Sequence, residues 1–218
     1  MQRQFQAIIF DFDYTLADSS KGAVECINFA LNSLGLPTTS PEAIYQTIGL
    51  SLADTLVKLT GQASPAQSKE FARLFATRAD EVMAALTVLY ETVPPTVHRL
   101  KKHGLKLGIV STKFRYRIEG ILTRDNLLDA FDVVIGGEDV TQHKPNPEGL
   151  QRAKERLNSL FSQTLYIGDS VIDAETAQRG DIPFVAVLSG VTPREEFGRY
   201  TVAGIVENLS QLAEWLLD

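Results

Sequence analysis

The sequence predicts an α/β protein: a parallel sheet covered by helices, with an all-helical domain inserted into it. Three observations lead there. Six short apolar runs are spread along the chain, helical patterns separate the later ones, and the interval 17–87 holds helical patterns alone. Strands that alternate with helices indicate right-handed parallel crossovers, and a long interruption of that rhythm indicates an insertion.

The apolar runs are residues 6–10, 106–110, 132–135, 164–167, 184–187 and 204–206. Continuous apolar runs of this length mark strands buried on both faces. Between and after them, helices are expected at 96–103, 115–122, 147–157, 172–179 and 209–217. Gly104 after His103 and Gly180 after Arg179 are expected helix C-caps. In the insert, Ala23, Ile27, Leu31 and Leu34 share one helical face, and Gly35 ends that helix. Ser51 with Asp54 has the pattern of a capping box ahead of 52–59, which Gly61 stops. Ser64, Pro65 and Gln67 open a third, longer helix, in which Phe71, Leu74, Phe75, Val82 and Leu86 recur at helical spacing. That stripe reads as packing. The expected organisation is an α/β, Rossmann-like core at 1–16 and 88–218, with the helical domain at 17–87.

The composition fits a globular chain with a sizeable core: 218 residues, 44% hydrophobic and 22% charged. A net charge of −6 argues against a nucleic-acid binder, which usually carries a basic face. It leaves an anionic substrate open, because a bound divalent cation reverses the local field. The single cysteine, Cys26, excludes an intrachain disulfide and reads as a reduced, half-buried helix residue. No signal-peptide pattern and no membrane-spanning apolar window is seen, so a cytoplasmic enzyme or binding protein without a membrane partner is expected.

In an open parallel sheet, ligands bind beyond the carboxyl ends of the strands. Here the first strand ends in Asp11-Phe12-Asp13, the second in Ser111-Thr112 and the fourth in Gly168-Asp169-Ser170, with Asp173 four residues after Asp169. Lys144 lies in "HKPNPEG" between the third and fourth strands. Each piece alone has an ordinary use as a cap, a turn or a solvated loop lysine. Together, at successive strand ends, they gather carboxylates, a hydroxyl and an ammonium at one edge. Such a cluster repels itself unless a cation sits in it, and hard carboxylate oxygens suit Mg²⁺. Metal, lysine, hydroxyl and backbone N–H groups together make a receptacle for a phosphate. One aspartate can then act as nucleophile and its neighbour two residues on as proton donor.

In order, "DFDYT", the serine ending "LGIVS", the lysine of "KPNPE" and "GDSVID" make the chain resemble phosphohydrolases of the haloacid dehalogenase superfamily. The helical insert and "YETVPPTVHRLKKHGLKLGIVSTK" resemble its phosphoglycolate phosphatase-like branch, whose insert is a helical cap. The resemblance implies that Asp11 is the nucleophile and a Mg²⁺ ligand. It makes Asp13 the general acid/base and a ligand through its backbone carbonyl, and Asp169 a further ligand. Asp173 would orient Lys144 or a metal-bound water. Ser111, with Thr112 beside it, and Lys144 would bind the phosphoryl group. The implied substrate is a small phosphorylated metabolite: phosphoglycolate-like, a sugar phosphate, a nucleotide or pyrophosphate. The cap would exclude water, with Gly49, Leu50 and Ser51 as its substrate loop. Tyr14 stands where glycine is commonest in the family. A phosphomutase of the beta-phosphoglucomutase type and a non-catalytic phosphate-binding regulator are the alternatives. Gly168, where the mutases usually carry glutamate, leans against the first, and the intact nucleophile against the second.

Overall fold

The structure is a computed structural model that describes residues 5–217. The chain forms two compact units. One comprises the chain up to Ala17 and from Leu89 onward; the other is Asp18–Val88. Two-residue strands, β2 (Ala17–Asp18) and β3 (Val88–Leu89), pair where the chain passes between them.

The first unit is built on a six-stranded sheet of β1 (Ala7–Phe10), β4 (Lys106–Val110), β5 (Val133–Ile135), β6 (Thr164–Gly168), β7 (Phe184–Val187) and β8 (Gly204–Val206). The strand order is β5-β4-β1-β6-β7-β8, and every pairing in it is parallel. Side-chain alternation divides the core in two. Ile8, Phe10, Leu107, Ile109 and Ile167 face α5 (Val93–Lys102), α6 (Arg115–Arg124) and α9 (Leu209–Leu217). Ala7, Ile9, Val110, Ile135 and Tyr166 face α7 (Glu148–Leu157) and α8 (Val171–Arg179). Strands buried on both faces are why their sequences read as unbroken apolar runs. Registers set the site: Phe10 lies beside Ile109 on one side and Ile167 on the other. Asp11, Ser111 and Asp169 therefore emerge at one edge.

The second unit holds α1 (Ser20–Ser33), α2 (Pro41–Tyr45), α3 (Leu52–Thr60) and α4 (Pro65–Leu86). Ala23, Ile27, Leu31, Ile44, Leu56 and Phe71 form its core. Ser64 and Gln67 make the reciprocal capping box that opens α4. Among the described residues, no helix is long and apolar enough to cross a membrane.

Several local expectations change. α5 starts at Val93, not at residue 96, because Pro94 and Pro95 occupy its first turn, where no N–H is required of them. Asp132 precedes β5 instead of opening it; its carboxylate accepts from the Leu107 N–H and pairs with Lys101, each at 2.8 Å. Gly180 ends α8 at φ −89°, so it uses none of glycine's freedom, and Asp181 takes the left-handed turn at φ 53°. Asp54 takes the Ser51 hydroxyl, at 2.6 Å, so the pair caps α3 without the reciprocal backbone bond of a full capping box. Cys26 is fully buried, not half-buried, and packs with Ala79 and Met83. The insert also holds a short helix, α2, capped by Ser40 with Pro41 in its first turn, which is too brief to carry a helical apolar repeat.

Candidate active site

Asp11 extends β1 by one residue. Its N–H donates to the Ile167 carbonyl at 2.9 Å, so the sheet itself fixes the carboxylate. One carboxylate oxygen, Oδ2, lies 2.9 Å from Lys144 Nζ. The other, Oδ1, is buried and has no hydrogen-bond partner among the described residues. A buried carboxylate oxygen without a partner is costly, and natural structures keep such a group for a reason.

Lys144 sits after the short 3₁₀ turn Gly137–Asp139 and just before α7; the Lys144–Pro145 peptide is cis. Its ammonium is buried and reaches three groups: Asp11 Oδ2, Asp173 Oδ1 at 2.7 Å and the Tyr166 hydroxyl at 3.3 Å. Tyr166 in turn donates to Asp173 Oδ1 at 2.7 Å. Asp173 is fixed a second way, as the third residue of α8. Its N–H donates to Ser170 Oγ at 3.2 Å, and its Oδ2 accepts from the Ser170 hydroxyl at 2.6 Å. The helix cap thus aims the carboxylate that holds the lysine.

Asp169 follows β6 and accepts the Thr15 hydroxyl at 2.9 Å. Two glycines make room here. A Cβ on Gly168 would stand 2.5 Å from Asp173 Cγ, and one on Gly190 would stand 2.0 Å from Asp169 Oδ2. A glutamate at position 168 would collide with Asp173. Asp13 turns elsewhere: its Oδ1 lies 2.9 Å from Lys113 Nζ, and both side chains are nearly buried. Ser111 is buried, its N–H bonded to the Ile135 carbonyl at 3.1 Å. Thr112 beside it is half-buried.

Asp11, Asp13, Ser111, Thr112, Lys144, Asp169 and Asp173 therefore all belong to the α/β unit. Gly49, Leu50 and Ser51 belong to the helical unit, where Gly49 turns at φ 94° and Ser51 caps α3. Among the described residues, the carboxylates close enough to share one ion are those of Asp11, Asp169 and Asp173, with oxygens within 4.8 Å of one another. Thr15, Tyr166 and Lys113 are partners to which the sequence reading gave no role, and Ser170, named there at the strand end, proves to be the cap that holds Asp173. Tyr166 had a readable signal, since a tyrosine inside a buried strand needs a partner for its hydroxyl, and so did Ser170, three residues before Asp173 in the pattern of a capping box.

The electrostatics follow from burial. Desolvation pushes the Asp11 carboxyl up from 3.8 to about 7; Lys144 opposes that, while Asp173 and Asp13 add to it. Asp169 is raised well above the ordinary range, first by burial and then by Asp173 and Asp11. Burial also works against the Lys144 ammonium, but Asp11 and Asp173 outweigh it and hold its pKa above that of a free lysine. Because the folded protein binds the Asp11 proton more tightly than the unfolded chain does, this group favours the metal-free fold below 3.8. That contribution is lost as pH rises through about 7. In metal-free protein, the melting temperature of Asp11→Asn should therefore gain on that of the unsubstituted chain as pH rises across this window. A thermal melt series in pH checks it, and a constant difference would contradict it.

Four carboxylates and two ammonium groups leave an excess of two negative charges when all are ionised. That excess, the orphaned Asp11 oxygen and an all-oxygen donor set fit a hard divalent cation.

Residues 8–187 match the family described as haloacid dehalogenase-like hydrolases. The chain is 31% identical over 209 residues to pyrophosphatase PpaX of Bacillus mycoides (strain KBAB4), covering 96% of this chain and 95% of that protein. It is 32% identical to a phosphoglycolate phosphatase of Salmonella typhimurium, covering 86% and 83% of the two. The crystal structure of a haloacid dehalogenase-like hydrolase from Bacteroides fragilis matches at a TM-score of 0.93 and 43% identity, over 95% of this chain and 99% of that one. The chain belongs to the haloacid dehalogenase-like hydrolases and is an enzyme that sits among their phosphatases.

Proposed function

We propose that the protein hydrolyses a small phosphomonoester, or pyrophosphate, through a phosphoryl group carried on Asp11, with Mg²⁺ as cofactor. The observation that carries this reading is the Asp11 carboxylate: anchored by the sheet, held on one oxygen by Lys144 and buried on the other without a hydrogen-bond partner among the described residues. Binding alone needs no such group.

In the first step an Asp11 oxygen attacks phosphorus, the ester P–O bond breaks and Asp13 gives a proton to the departing oxygen. In the second, water attacks the same phosphorus while Asp13 takes its proton; the acyl-phosphate P–O bond breaks, phosphate leaves and the Asp11 carboxylate returns. Lys144 and the Ser111 hydroxyl hold the phosphoryl oxygens, where charge is greatest in the transition state. Asp11, Asp169 and the Asp13 carbonyl would hold Mg²⁺, with Asp173 next to them. When bound, the ion supplies positive charge against the carboxylates and the phosphoryl group. A phosphomutase reading is not favoured, because Gly168 leaves no room for the acidic residue usual there.

Phosphoglycolate and pyrophosphate, named for the two relatives above, head the substrate panel. EDTA should abolish phosphate release and Mg²⁺ should restore it. Asp169→Ala should weaken half-maximal activation by Mg²⁺ more than Asp173→Ala does. The Asp173 change acts through Lys144 and should cost about 10–100-fold. Full activity in EDTA would remove the metal from the account.

A further inference from the structure

Tyr14, next to Asp13, has φ of 60°. A bulky residue in the left-handed region is strained, and it persists only where its surroundings hold it. Two hydrogen bonds do so. The Tyr14 N–H donates to the Ala17 carbonyl at 2.7 Å, and the Tyr14 carbonyl accepts from the Ser189 hydroxyl at 2.5 Å. Ser189 lies two residues past β7 and is itself held, because its carbonyl accepts from the Tyr90 hydroxyl at 3.3 Å. The Tyr90 N–H closes the ring by donating to the Leu16 carbonyl at 3.1 Å. The next residue, Gly190, is packed against Asp169 so closely that no Cβ fits there. One serine-glycine pair thus touches both the turn that carries Asp13 and the carboxylate of Asp169.

We propose that Ser189 is a positioning residue: its hydroxyl holds the Tyr14 peptide in the left-handed turn and so fixes the direction of Asp13. The hydroxyl is used up on the Tyr14 carbonyl and touches no reacting atom. In extended or right-handed backbone the Tyr14 carbonyl points elsewhere, and Ser189 loses its acceptor. The catalytic half of this inference rests on the role proposed for Asp13; the structural half does not.

The test is a cycle of Ser189→Ala, Tyr14→Gly and the double variant. Glycine adopts this backbone without a steric penalty, so the serine should matter less in its presence. In metal-free protein, Ser189→Ala should lower the melting temperature by about 2–4 °C, the equivalent of one hydrogen bond in a chain this size. In the Tyr14→Gly background the same change should cost less than half of that shift. With nitrophenyl phosphate and Mg²⁺, Ser189→Ala should lower kcat about tenfold, the scale of a small misplacement, and leave KM nearly unchanged. That kcat loss should also shrink in the Tyr14→Gly background. Equal penalties in both backgrounds, or an unchanged kcat in Ser189→Ala, would overturn the proposal. If the unsubstituted chain released no phosphate from any ester, the reaction reading would fail, and the melting cycle alone would still decide whether Ser189 holds Tyr14.

Discussion

Asp11→Asn should stop turnover, with a loss on the order of 10⁴-fold or more, the scale seen when a covalent enzyme loses its nucleophile. The change replaces a carboxylate oxygen by an amide of the same shape. The N–H bond to Ile167 is untouched, and the amide oxygen can still accept from Lys144, so the sheet edge should stay as it is. What disappears is the carboxylate proposed to attack. The fold should also tolerate the change well, because the carboxyl it removes is raised to about 7 by burial. Melting curves at neutral pH would show intact folding beside absent phosphate release. Retention of a tenth of the activity would mean that another group attacks.

Lys144→Met should have the largest effect on stability. The ammonium stands between Asp11 and Asp173 with Tyr166 beside it, and all four groups are buried. Removing one partner of a buried ion pair leaves uncompensated charge and typically costs about 3–5 kcal/mol. Here it strips two carboxylates at once, and Asp11 and Asp169 would move further toward their protonated forms. The loss, read from urea unfolding of metal-free protein, should be greatest at neutral pH and smaller in acid, where the carboxyls are neutral. Added Mg²⁺ should restore more stability to this variant than to the unsubstituted chain, since the cation replaces missing positive charge. Activity should fall by about 10²–10³, as expected for losing one preorganised charge at a phosphoryl site. Unfolding curves that coincide with those of the parent would refute this picture of the site.

The central strands were legible because they are buried on both faces and are therefore written as apolar runs, whereas the two-residue strands β2 and β3 carry no such run. The candidate site was readable from the same pattern: Asp11 and Ser111 directly follow β1 and β4, and Asp169 follows the Gly168 that ends β6. Other features depend on contacts that lie far apart in sequence. Lys113 faces Asp13, Thr15 faces Asp169, and Ser189 faces Tyr14, and no local pattern announces any of them. The start of α5 was hidden by Pro94 and Pro95, residues that break a helix inside it but suit its first turn. Asp132 was read as strand because it adjoins an apolar run, yet its carboxylate serves the Leu107 N–H on the neighbouring strand.

In the proposed reaction Asp11 and Asp13 divide the work, one attacking and the other moving protons. Asp13→Asn separates them, since general acid/base catalysis is typically worth about 10²–10⁴-fold. Nitrophenolate hardly needs a proton to leave, so this variant should still be phosphorylated by nitrophenyl phosphate while hydrolysis of the acyl-phosphate slows. Rapid-quench mass spectrometry of Asp13→Asn should then find phosphate on Asp11, and none in Asp11→Asn. Phosphate on Ser111 or Thr112, or no phosphoenzyme together with normal turnover in Asp13→Asn, would contradict the account.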